Sequence, residues 1–213
     1  MYDTFDYPAH RVVGSSAEAL DWIGRSSLPE EDKTALRAFV GRFPGAAFHR
    51  DDAVLLDHLE QRNAVILPPW LREVRQVLAG PGPESHVRFD GFDYEGPRAD
   101  RTDDDGFIDL WYEDGFTGYL HEEDRDLLRD GAACYPILCA TTSVNHLLAA
   151  DLGDPENRHV LDLCDEDVMD DQHAGRPGTE SVHPAFASYA AMLSHVVACR
   201  TKDGTVIRAR GLS

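Results

Sequence analysis

Leu67-Pro68-Pro69-Trp70-Leu71-Arg72-Glu73-Val74-Arg75-Gln76-Val77-Leu78-Ala79-Gly80-Pro81-Gly82-Pro83 is the stretch on which the fold turns. A proline pair leads into Leu71, Val74, Val77 and Leu78 at helical spacing, and the Gly-Pro repeat stops that run abruptly. Upstream of it the apolar period is helical. Ser15-Ser16-Ala17-Glu18 reads as a capping box opening a short helix with Leu20 and Ile23 inward. Leu28-Pro29-Glu30-Glu31-Asp32 starts a second helix, with proline in the first turn and acids at the positive end of the helix dipole. Its buried stripe is Leu36, Phe39, Val40 and Phe43. Asp51 or Asp52 caps a third, with Leu55, Leu56 and Leu59 on one face. Residues 1–14 read as an irregular arm.

Downstream, short alternating runs replace the helical period: Val87–Phe92, Phe107–Tyr112, Thr117–Leu120, Tyr135–Ala140, His146–Ala150 and His159–Cys164. Turn signals such as Asp114-Gly115 and Gly153-Asp154-Pro155 separate them. A closing helix is expected from about Pro184 to Ala198, with Phe186, Ala190, Leu193 and Val197 as its stripe. N-terminal helices, then mainly antiparallel strands, then a C-terminal helix covering the sheet make an α+β plan.

The chain has 213 residues, long enough to bury a core without a metal or disulfide. It carries 39 Asp+Glu against 20 Lys+Arg, a formal charge of −19, and the imbalance is local. Residues 90–114 hold ten acids and two arginines, and residues 151–180 hold the same numbers, so two short segments supply nearly all the excess. Such a field repels nucleic acid and anionic lipid, so neither is an expected partner. Charge packed this densely opposes compaction, and it reads as ordinary solvated loops, as a genome-wide acidic bias or as a surface built to meet a basic partner. The opening Met1–Asp6 has no basic n-region and no apolar core, which argues against a secretory signal. Cys134, Cys139, Cys164 and Cys199 sit in apolar stretches and read as reduced, buried thiols of a cytoplasmic protein.

No reaction motif stands out. Arg101-Thr102-Asp103-Asp104-Asp105-Gly106 invites comparison with a calcium loop. With Gly106 at position six, however, Arg101 stands where the first carboxylate is needed, and Tyr112 where a bidentate one is. Asp165, Glu166, Asp167, Asp170, Asp171 and His173 lie in one run without basic groups to hold a phosphate, unlike a two-metal nuclease centre. The ten histidines form no metal-ligand pair, and no cysteine has a setting that lowers its pKa. No metal or cofactor is expected. Trp111 and Tyr112 fall on opposite faces of their strand, so one belongs to the core and the other is either structural as well or an aromatic anchor beside the acidic segment.

Tyr135-Pro136-Ile137, Asn145–Leu152, Asp154–Val160 and Ser181–Tyr189, with the earlier Leu67-Pro68-Pro69-Trp70-Leu71-Arg72, resemble the SUKH superfamily. The resemblance implies a single α+β domain over 66–213, with 1–65 as a helical extension packed on it. It also implies a non-enzymatic binding role, as in bacterial immunity proteins that neutralise a toxin, often a nuclease. The residues expected to meet a basic toxin are Asp103, Asp104, Asp105, Asp109, Trp111, Glu113, Asp165, Glu166, Asp167, Asp170 and Asp171. The alternatives are a regulatory or scaffold protein of the same fold, or a Cys/His or metal-dependent hydrolase whose site forms only in space.

Overall fold

In a computed structural model, residues 5–63, 66–82, 86–89, 108–110, 134–140, 146–151, 154, 156–164, 182–201 and 203–211 are described. The expected strand at Thr117–Leu120 lies outside them. The chain is α+β, with helices beside antiparallel sheets. After a 3-10 turn at Tyr7–His10 come β1 (Arg11–Ser15), α1 (Ser16–Arg25), α2 (Glu30–Arg42), β2 (Ala47–Asp51), α3 (Ala53–Asn63) and α4 (Pro69–Val77). Strands β3 (Gly80–Pro81), β4 (His86–Phe89), β5 (Ile108–Leu110), β6 (Cys134–Ala140), β7 (His146–Asp151), β8 (Val160–Cys164) and β9 (Val182–Phe186) follow. A short α5 (Tyr189–Ser194), β10 (Val196–Arg200) and β11 (Val206–Arg208) close the chain.

The caps fix the helices. Ser15 Oγ accepts the Glu18 N–H at 3.4 Å while Glu18 accepts the Ser15 N–H at 2.8 Å, so the capping box forms and sets the phase of α1. In that phase Ala19 and Ile23 are buried and Leu20 is 41% exposed, so Leu20 faces outward, contrary to its expected inward position. Asp52 Oδ1 accepts the Leu55 N–H at 2.9 Å and heads α3. The stripes of α2 and α3 are buried as their spacing requires, and so is that of α4 except Val77, which is half-buried. Phe39 meets both Phe43 and Phe48 edge-on.

Two sheets carry the strands, one in the order β1-β2-β3 and one in the order β11-β10-β4-β5-β6-β7-β8-β9. The first is absent from the sequence reading, which treats residues 1–14 as an irregular arm. The second curls on itself: Phe186 of β9 lies 5.8 Å, ring to ring, from Phe89 of β4 although four strands separate them in the order. One apolar cluster runs from Tyr7 through the helices and both sheets to Cys199, so buried residues of 1–65 and 66–213 share it.

The closing helix is the main correction. Residues 182–186 are strand, only Tyr189–Ser194 are helical, and Val196–Arg200 are strand again. Pro184 therefore sits in β9, the last strand of the sheet, where a missing N–H leaves the ladder intact. Ser188, not a residue near 183, is the cap: its Oγ accepts the Ala191 N–H at 3.1 Å.

Candidate functional site

Of the residues expected to meet a partner, Asp109 has a described backbone. Asp103, Asp104, Asp105, Trp111, Glu113, Asp165, Glu166, Asp167, Asp170 and Asp171 lie outside the described residues. What the strands fix is where each segment leaves the sheet. Starting from His86, the register runs through Asp109, Ala140, Leu147, Leu163 and Val182, one residue per strand from β4 to β9. Because the strands alternate in direction, connections 90–107 and 165–181 both depart on the same side of that row. The first holds seven acids and two arginines, the second six acids and one arginine. Trp111 and Glu113 belong to connection 111–133, which leaves at the other end. Asp109 stands between His86 of β4 and Ala140 of β6, and His86 is itself opposite Arg200 of β10.

The most heavily buried polar centre was not legible in the sequence. Alternation along β2 puts Phe48 into the apolar core and His49 and Asp51 on the other face. Arg11 of β1 stands directly opposite Asp51, its Nε 4.0 Å from Oδ1. Arg75 reaches across from α4: its Nε donates to Asp51 Oδ2 at 2.7 Å, and its Nη2 pairs with the same oxygen. All four side chains are buried. Burial holds His49 down at about 4; Asp51 opposes that shift, while Arg11 and Arg75 add to it. The centre thus locks the small sheet to α4 with His49 neutral at pH 7. The Arg75 guanidinium also lies 5.9 Å from the ring centre of Tyr189, whose hydroxyl donates to the Ala79 carbonyl, which carries the link to α5.

A second polar centre ties the first helices to the β7–β8 connection. Asp32 is buried, accepts the Ser188 hydroxyl at 2.9 Å and pairs with Arg158, which also reaches Glu31 at 3.6 Å. Ser188 donates to a carboxylate and caps α5, so its hydroxyl is committed to structure. The third centre is the N-terminal arm. Phe5 stacks on His58 at 3.9 Å and on His10 at 4.8 Å, and His10 Nδ1 meets Asp52 Oδ2 at 2.9 Å.

Among the described residues no three His, Cys, Asp or Glu side chains gather as metal ligands. No helix there is long and apolar enough to cross a membrane. Cys199 is buried and its thiol is pushed up to about 12 by that burial, partly countered by Arg42, so it is no nucleophile at neutral pH. Register places Cys164 opposite His146 across β7 and β8. Compared with family models, with curated proteins and with solved structures, the chain gives no match in any of the three.

Proposed function

We propose that this chain is a non-enzymatic binding protein of the immunity type, SUKH-like in plan, that neutralises a basic, nuclease-type toxin in the cytoplasm. The observation that carries the reading is the ladder: one register row spans β4 to β9, and both acid-rich connections leave the sheet on the same side of it. A nuclease groove is positive because its substrate is negative, so an acidic protein competes for the same field. Electrostatic steering of this kind raises association rates roughly 10- to 1,000-fold and decays with salt. The test is inhibition of the toxin encoded beside it, with Asp103, Asp104 and Asp105 replaced by Asn. Full inhibition by wild type with slower association by the variant supports the reading. No inhibition of a basic toxin, by a protein that unfolds normally, moves the chain to the regulatory or scaffold class of the same plan.

One observation favours a second reading, the Cys/His hydrolase. Backbone register sets His146 opposite Cys164 across β7 and β8, and an imidazole and a thiol are the residue types that such chemistry pairs. Under that reading a Cys164→Ser variant loses the one fast-alkylating thiol near neutral pH. Equal alkylation of wild type and variant removes the reading.

A further inference from the structure

Acids outnumber bases about two to one in this chain, yet three arginines near one edge of the large sheet meet no counter-ion among the described residues. Arg88 of β4 and Arg208 of β11 are each directly opposite Ala198 of β10, so register puts all three on one face with the alanine between the arginines. Strands about 4.8 Å apart place the two Cα atoms roughly 10 Å from each other. The other face of the same three strands carries Val87, Cys199 and Ile207, in register with one another, and packs on the apolar core. Arg88 and Arg208 are exposed and make no ion pair or side-chain hydrogen bond. Exposed Arg210 uses only its backbone N–H, donated to the Arg42 carbonyl at 2.9 Å. Every other arginine among the described residues has a partner, for example Asp21 for Arg25, Glu30 for Arg37 and Asp57 with Glu60 for Arg72. The unpaired arginines are therefore gathered, not scattered, although like charges about 10 Å apart still repel.

The strand that carries Arg208 is also the last in its sheet. Thr201 donates to the Thr205 carbonyl at 3.0 Å and Ala209 to the Val197 carbonyl at 2.8 Å, which turns the backbone of 205 and 209 toward β10. Alternation then turns the N–H and C=O of Val206 and Arg208 toward the outer edge. A charged residue on an edge strand discourages pairing with another apolar strand, and it selects for one of opposite charge.

We propose that this edge docks an extended acidic polypeptide segment, whose main chain pairs with Val206 and Arg208 and whose carboxylates meet Arg208 and Arg210, with Arg88 strengthening the field. The outward main-chain groups favour a polypeptide over nucleic acid, which has no strand to add and whose dense charge the rest of the molecule repels. This site has the opposite sign to the acid-rich connections and stands apart from the toxin-binding reading.

The probe is a fluorescent Glu-Val-Glu-Val-Glu-Val peptide titrated with the full-length protein and followed by anisotropy. Expected are saturable binding at about 20 mM salt and a several-fold loss at about 200 mM, where charge is better screened. The Arg208→Gln/Arg210→Gln variant, with wild-type circular dichroism and thermal midpoint, is expected to bind about 3- to 10-fold more weakly, the loss of roughly two exposed ion pairs. A peptide N-methylated at alternate amides is expected to lose binding as well, because the strand pairing goes. Absence of binding at the lower salt, or equal binding by the variant or the methylated peptide, overturns the proposal. So does tighter binding of a six-nucleotide oligothymidylate that the arginine variant abolishes, which would assign the face to nucleic acid.

Discussion

At the residue scale the decisive feature is a carboxylate, Asp51, held between Arg11 and Arg75 with no access to water. Removing one member of a buried ion pair leaves the other charge stranded, which costs about 3–5 kcal/mol. Asp51→Ala is therefore expected to lower stability by about that amount in urea titrations, and Asp51→Leu with both Arg75→Met and Arg11→Met to restore much of it. His49 adds a pH dependence. Its folded pKa, about 4, lies below the ordinary 6.5, so the unfolded chain binds the extra proton first. The stability tied to neutral His49 is thus complete above about pH 6.5 and is lost progressively as pH falls toward 4. The size is on the order of 3 kcal/mol at 1.36 kcal/mol per pKa unit. Thermal midpoints measured from pH 7.5 to 4.5 should fall less steeply in His49→Gln; parallel curves would show that other groups carry the acid lability. None of this was legible in the sequence, because Arg75 sits in a helix whose apolar stripe is satisfied without it, and His49 and Asp51 look like surface residues.

At the element scale, what could be read from the chain was whatever a single side-chain period specifies. The stripes of α2, α3 and α4 belong to helices with one apolar face, and the alternating runs before β4, β6, β7 and β8 belong to strands. Two elements escaped for different reasons. β2 is buried on both faces, but one face is filled by His49 and Asp51, so its pattern is neither alternating nor continuously apolar. Around α5, Phe186, Ala190, Leu193 and Val197 keep helical spacing while lying in β9, α5 and β10 in turn, since all three elements border one core. The signals that break the helix were present: Ser188 as a cap, and the β-branched pair Val196-Val197, which favours a strand. β1 is held close to α1 at Gly14, where a Cβ would fall 2.6 Å from the Trp22 ring. Gly14→Ala is accordingly expected to displace Trp22, which also lies under the Arg50 guanidinium, and to cost about 1–3 kcal/mol. A changed tryptophan fluorescence spectrum with a lowered unfolding midpoint is the expected readout; wild-type values for both would mean that the ring moves aside freely.

At the scale of the whole molecule, charge and topology work together. The sequence located the acid-rich segments at 90–114 and 151–180 without indicating how they relate in space, because that depends on strand order. The order fixes that connections 90–107 and 165–181 leave the sheet on one side, and that connection 111–133 leaves it on the other. Among the described residues, the arginines of the helical half meet carboxylates, carbonyls, a hydroxyl or a ring, and those without such a partner lie on β4 and around β11. Under the proposed function, the acid-rich connections steer a basic partner onto this protein. The most direct test of that steering is the stopped-flow association rate with the basic partner that co-purifies from native cells. Wild type would be compared with a variant carrying Asn at positions 103, 104, 105, 165, 167, 170 and 171. The account predicts that the wild-type rate falls about 10-fold or more as salt rises from roughly 20 to 300 mM, and that the variant is slow and nearly salt-independent throughout. Equal rates for the two proteins, with the same salt dependence, would contradict it.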